Sequence, residues 1–170
     1  MLQVRLLRCR VGFAYLVLML LVFNLVTHLA TVEGGSQEEQ YTVRKTLREY
    51  VRAMNQRSLE DIVALYASDG KFVDETFDEV FSGSYRLRKL YDGIFETNPN
   101  LVFTAFPWRV EVVGDDASVD CSWSLVSNVG VYNGMYYISM SKTSLGWKIT
   151  EIYAHITVIH NYYLPYVFTP

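Results

Sequence analysis

Asp74 and Tyr50 are the residues whose types and placement suit proton transfer. Taking a proton from a carbon beside a carbonyl needs a carboxylate in a water-poor cavity. It also needs a donor facing the oxygen on which charge develops. Asp74 lies in a short strand candidate, Lys71–Glu75, where alternation puts it on one face with Phe72. Tyr50 falls in the apolar stripe of the first helix, which can carry its hydroxyl toward the same space. Each has a plainer alternative: a surface acid beside Glu75, and a core tyrosine with one satisfied hydroxyl. The last strand offers a second constellation. Trp147, Ile149, Glu151, Tyr153 and His155 share one face, while Lys148, Thr150, Ile152, Ala154, Ile156 and Val158 share the other. If the first face lines a pocket, Glu151 and His155 join the acid/base set. If the second face is the core, they meet solvent or another subunit. The sequence leaves both open. Phe72, Tyr66, Phe95, Phe103, Trp123 and Tyr153 are the aromatic candidates for the pocket wall. His155 near a carboxylate has no closely spaced second ligand, so no metal is expected.

The elements that must position these groups are legible from periodicity. Val43, Leu47, Tyr50, Val51 and Met54 repeat at helical spacing. Ser58 with Asp61 starts a second helix, expected to run to Asp69-Gly70. Ser84 is the expected cap of a third helix, whose stripe is Leu87, Leu90, Tyr91, Ile94 and Phe95, and Asn98-Pro99 stops it. After Asn100 the pattern becomes strand-like. Leu101–Val113 holds Pro107, which implies an edge or a bulge. Ala117, Val119, Cys121, Trp123 and Leu125 alternate with polar residues. Asn133-Gly134 reads as a hairpin turn, Tyr136–Lys142 as its return strand, and Trp147–His160 as the last strand. Three helices followed by four long antiparallel strands is an α+β plan.

Composition narrows the function. The 13 Tyr, 9 Phe and 3 Trp suit strands and an aromatic cavity. Residues 1–32 hold Arg5, Arg8 and Arg10 and no acid; the remainder carries 12 basic against 18 acidic residues, a net −6. An acidic body argues against phosphate-backbone recognition, which needs a basic face, so no nucleic-acid partner is expected. No charge occurs from Val11 to Val32, a stretch of 22 residues. That length suits a membrane-spanning signal anchor, and its strict apolar core of 13 residues also fits a cleaved signal. The preceding arginines would stay cytoplasmic, placing the body on the non-cytoplasmic side, anchored or secreted. The expected organisation is therefore an anchor or signal over 1–32 and a linker over 33–40. A domain over 41–160 and an aromatic tail over 161–170 follow.

The order of elements resembles the NTF2-like superfamily, in its SnoaL-like and ketosteroid-isomerase-like branches. The residues that carry the resemblance are Tyr50-Val51-Arg52-Ala53-Met54-Asn55, Leu59 through Ala67, Phe72-Val73-Asp74, Ser82-Gly83, and Gly146-Trp147-Lys148-Ile149 with His155. It spans about residues 38–160. The resemblance implies a cone of three helices on a curved antiparallel sheet, enclosing a pocket for a small hydrophobic molecule. It implies Tyr50 as the donor to the substrate oxygen and Asp74 as the group that moves the proton. The isomerase pattern has a further oxyanion acid, and here Ile138 or Ser139 stands near its place. A cofactor-free isomerase or cyclase is one implied function. A non-catalytic binding module that dimerises through its sheet is the other.

Overall fold

The computed structural model describes residues 35–161. The apolar segment and the aromatic tail beyond Asn161 lie outside the described residues. Among the described residues no helix is long and apolar enough to cross a membrane.

Helix α1 (Gln37–Gln56) starts at Ser36, whose side chain accepts from the Glu39 N–H, with Glu38 and Glu39 near the positive end of the helix dipole. It buries Val43, Leu47, Tyr50, Ala53 and Met54 and ends at Arg57, which adopts a left-handed conformation (φ 56°). The Arg57 guanidinium then donates to the Phe95 and Pro99 carbonyls, at 2.8 and 2.7 Å. Helix α2 (Leu59–Leu65) is capped by Ser58, which accepts from the Asp61 N–H. It ends before Asp69-Gly70, because the chain passes at once into strand β1 (Tyr66–Asp74). Gly70 has a different task from ending a helix. A Cβ there would lie 2.8 Å from the Ile149 carbonyl oxygen, so the glycine permits the close approach of two strands at a register shift.

A turn leads to strand β2 (Glu79–Ser82), and helix α3 (Gly83–Thr97) follows. Ser84 is therefore inside the helix and not its cap. Gly83 makes the strand-to-helix corner at φ 76°, and Ser82 takes the cap position without a side-chain bond. Asn98 ends α3 and is buried, its side-chain oxygen accepting from the Ser127 hydroxyl at 2.8 Å.

Strands β3 (Val102–Val113), β4 (Asp116–Val126), β5 (Gly130–Thr143) and β6 (Gly146–Asn161) complete a sheet in the order β2-β1-β6-β5-β4-β3. The four long strands are antiparallel to one another, but β1 runs parallel to β6. The sheet is thus mixed, not purely antiparallel. The expected antiparallel meander is joined by β1, which approaches β6 from the helical half of the chain.

Asn133-Gly134 does not turn. The reversal occurs at Ser127–Val129, where the Ser127 N–H donates to the Gly130 carbonyl at 2.9 Å. Residues 131–134 instead pair with β4 on one side and β6 on the other, and the two-sided ladder outweighs the local turn preference of an Asn-Gly pair. Gly134 marks a bulge, with Thr157 the extra residue opposite.

A second bulge lies in β6. Met140 pairs with Ile149 and Ser139 with Glu151, so Thr150 has no partner in β5. Each unpaired residue reverses the side-chain alternation. Trp147 and Ile149 face the core before the bulge, and Ile152 and Ala154 after it. Neither face read from the sequence is the core throughout.

The core lies between the helices and the inner sheet face. Ala117, Val119, Cys121, Trp123 and Leu125 are all buried, following the period of two. Burial, followed by the charge of Asp120, pushes the Cys121 thiol up to about 12. In a Cys9→Ser protein, Cys121 should resist thiol reagents near pH 8 in the native state and react once urea unfolds the chain. Rapid native labelling would contradict this burial.

Candidate functional site

A pocket of about 350 Å³ opens between α3, the C-terminal part of α1 and the inner sheet face. Met54 comes from α1, and Leu90, Ile94, Thr97 and Asn98 come from α3 and its cap. Strands supply Phe72 and Asp74, Trp123 and Leu125, Tyr132 and Tyr136, and Ala154 and Ile156; Phe77 stands on the turn after β1. Asp74 is the only acid among these lining residues, and no lysine, arginine or histidine lines the pocket among the described residues.

Local structure explains how Asp74 is held. It ends β1, paired with Glu79 in the hairpin and Ala154 in β6. Its Oδ1 accepts from the Thr76 and Phe77 N–H groups at 2.9 and 3.2 Å, closing the turn. Both bonds fall on Oδ1, which leaves Oδ2 available to a ligand.

Tyr50 is not among the lining residues. It is fully buried behind them, its hydroxyl 3.0 Å from that of Tyr91, which lies 2.6 Å from the Tyr66 hydroxyl. Tyr136 takes the pocket position and adjoins Tyr50. Its ring packs 5.1 Å from Trp123 and edge-on to Phe72 at 6.0 Å. Burial pushes the hydroxyls of Tyr50, Tyr66, Tyr91 and Tyr136 well above the ordinary tyrosine range. For Tyr136 the neighbouring Tyr50 adds to this, and the charge of Asp74 contributes further. All four remain protonated at neutral pH and can donate.

The tyrosine cluster makes a stability prediction. Tyr91→Phe removes the shared partner of Tyr50 and Tyr66. With each unsatisfied buried hydroxyl costing about 1–3 kcal/mol, urea unfolding should show a loss of about 2–4 kcal/mol. The pH dependence follows from the sign of the shifts. A raised folded pKa on an acid means that its contribution to stability is complete below the unfolded tyrosine value, about 10, and is lost as pH rises through the folded value. Alkaline titration should therefore reveal these tyrosinates only together with loss of native circular dichroism.

The other candidates separate into two groups. Tyr66, Phe95 and Phe103 are buried core aromatics behind the wall, whereas Phe72 and Trp123 line it. Glu151, Tyr153 and His155 project from the outer face of the sheet, because the Thr150 bulge turns Ile152 and Ala154 inward. There Glu151 pairs with Lys71 at 2.8 Å, and His155 Nδ1 lies 2.8 Å from a Glu75 carboxylate oxygen. The structure does not bring Glu151 or His155 to Asp74's pocket. Of the lining residues, sequence reasoning named only Phe72, Asp74 and Trp123 as site candidates; among the aromatics it missed Phe77, Tyr132 and Tyr136. For Tyr136 the available signal was the period of two it shares with Ile138 and Met140, which places all three on the buried face. The indole Nε1 of Trp123 is buried without a hydrogen-bond partner among the described residues. No group of three or more His, Cys, Asp or Glu able to hold a metal occurs among the described residues.

Comparison with known proteins places this geometry in context. The model of the SnoaL-like domain family matches residues 47–133. No curated protein matches the chain. Among solved structures, a ketosteroid isomerase-like protein from Erwinia carotovora atroseptica is similar at 16% identity and a TM-score of 0.62, over 72% of this chain and 99% of that one. A Nostoc punctiforme protein of unknown function with a cystatin-like fold is similar at 12% identity and a TM-score of 0.64, over 73% of this chain and 95% of that one. LinA is similar at 13% identity and a TM-score of 0.66, over 80% of this chain and 99% of that one. At these identities the likeness concerns the fold.

Proposed function

Because the chain belongs to the SnoaL-like domain family, we propose that it holds a small hydrophobic carbonyl compound in the Asp74 pocket and moves a proton on it, as a cofactor-free isomerase- or cyclase-type catalyst. The observation that carries this reading is a single carboxylate in a largely apolar pocket whose wall also contains the protonated Tyr136. Asp74 Oδ2 takes the proton from the carbon beside the carbonyl, and the electron pair moves onto the carbonyl oxygen. The Tyr136 hydroxyl donates to that oxygen as its charge develops. Protonated Asp74 then returns the proton to the same carbon of the enolate or, where a carbon–carbon double bond adjoins that carbon, to the far end of the resulting dienolate, which restores the carboxylate. Tyr50 stands behind Tyr136 and is itself tied to Tyr91 and, through it, to Tyr66. Residues 11–32 anchor the domain at a membrane with its body on the non-cytoplasmic side, or are removed on secretion. The mass of the mature N-terminus distinguishes these two outcomes.

One observation favours a second reading, a non-catalytic binding module. Asp74 Oδ1 already has a structural task in closing the turn. Proton exchange separates the readings. In deuterated buffer, the full-length protein should speed exchange at the α-carbon of at least one ketone in a panel of hydrophobic ketones, followed by NMR. Ketones that bind without any accelerated exchange would leave the binding module as the function.

A further inference from the structure

The charge of the pocket is one-sided. Among the described residues Asp74 is the only charged one in its wall, and it faces a space shared with Phe72, Phe77, Trp123, Tyr132 and Tyr136. The surroundings do not correct the imbalance. Glu75, Asp78 and Glu79 follow Asp74 on the same turn and hairpin. Among the described residues, Lys71 pairs with Glu151 and the His155 ring lies against Glu75 on the outer face, while the Arg86 guanidinium packs over the Phe81 ring and does not line the pocket. The two backbone N–H bonds reach only Oδ1, so a neutral apolar molecule that fills this pocket strips water from Oδ2 and gives nothing back, which is costly for a carboxylate in an apolar site. A ligand bearing a positive nitrogen supplies the missing charge. The electron-rich ring faces around it attract the same cation.

We propose that the pocket selects hydrophobic ammonium compounds, with the charged nitrogen against Asp74 and between the Phe72, Phe77, Tyr132, Trp123 and Tyr136 rings. The inference rests on the reading of this cavity as a ligand site, not on its catalysing proton transfer. In a catalyst such amines are competitive inhibitors, and in a binding module they are the natural ligand class. The volume of about 350 Å³ suits a compound with one aromatic ring and a small ammonium head. Phe77 has a particular part. It stands on the turn that Asp74 itself closes and is exposed at the mouth, so it can lie over an entering head group.

The test compares two probes of one shape and different charge, benzyltrimethylammonium and its neutral carbon isostere neopentylbenzene. Calorimetry or tryptophan fluorescence on the full-length protein reads both. The cation should bind at least about tenfold more tightly than the isostere, the size expected when a desolvated cation–π site is joined by a carboxylate. Asp74→Asn keeps an oxygen that can accept from Thr76 and Phe77, so circular dichroism should be unchanged while the advantage of the cation falls to about twofold or less. Phe77→Ala, at an exposed position, should weaken the cation about two- to fivefold and the isostere less. Equal or tighter binding of neopentylbenzene overturns the inference and leaves the apolar pocket standing. A preference for the cation that survives Asp74→Asn also overturns it. If neither probe binds, both the inference and the reading of the cavity as a ligand site fall.

Discussion

Replacing Asp74 by asparagine should leave the fold intact and lower ketone proton exchange by about 10²–10⁴-fold. The two consequences separate because the two carboxylate oxygens have different tasks. Oδ1 accepts from Thr76 and Phe77, and the asparagine carbonyl oxygen can accept both bonds. Oδ2 becomes an amide nitrogen, which cannot take a proton from carbon at neutral pH. The urea midpoint should therefore move little while the rate falls, and kcat should carry most of the loss. Asp74→Glu keeps the charge but shifts the oxygen along the pocket by about one bond length, a displacement that costs on the order of 10²-fold. Tyr136→Phe should lower the rate by about 10²–10³-fold, the usual effect of losing one oxyanion donor, and it keeps the ring that packs on Trp123. An Asp74→Asn protein that exchanges at the native rate would end the catalytic reading, and an unaffected Tyr136→Phe protein would remove the donor assignment alone.

A Gly134→Ala protein should be the least stable of the single-methyl changes in this domain. A Cβ at this position would collide with the His155 carbonyl oxygen and lie 2.8 Å from the Cε2 and Cζ2 atoms of Trp123. The first neighbour is backbone in the adjacent strand, and the second is an indole fixed against Tyr136 and Phe103. Neither can swing aside, so β6 and the indole must both shift. Overpacking of this kind costs about 1–3 kcal/mol and sometimes more, and we expect about 3 kcal/mol or above in urea unfolding. Against a typical total of about 5–15 kcal/mol this is a large share. Trp123 lines the pocket, so its fluorescence should change and ligand binding should weaken in the same protein. Gly93→Ala provides the contrast. It lies in α3 with nothing within 4 Å of an added Cβ, and it should gain about 0.5–1 kcal/mol from helix propensity. Unchanged stability in Gly134→Ala would mean that β5 and β6 do not approach as closely as described.

These positions show how far the sequence could be read. Where an element is regular, the residue pattern alone assigns the buried face. The helical stripe Val43, Leu47, Tyr50 and Met54 is buried, and so is the alternating run Ala117 to Leu125. Ser36 and Ser58 cap their helices through contacts three residues away, and Ser58 was visible for that reason. Asp74 reached the pocket wall by the same logic, because it shares a strand face with Phe72 within three residues.

Long-range pairing decided the remainder. The Asn133-Gly134 preference for a turn is local, and it yields to two neighbouring strands that need the same backbone groups. The unpaired Thr150 exists only because β5 and β6 meet in a particular register, and that one residue puts Glu151 and His155 outside while Ile152 and Ala154 turn inward. Tyr50 and Tyr136 are both buried tyrosines on inward faces, and nothing in their spacing says which hydroxyl comes nearer the ligand. The depth at which α1 settles on the sheet leaves Tyr50 in the second layer and Tyr136 in the wall. Periodicity within a segment thus specified which side chains point inward, since it depends only on the geometry of one helix or strand. Their order around the cavity depends on register and docking between segments distant in the chain, and only the assembled structure contains that information.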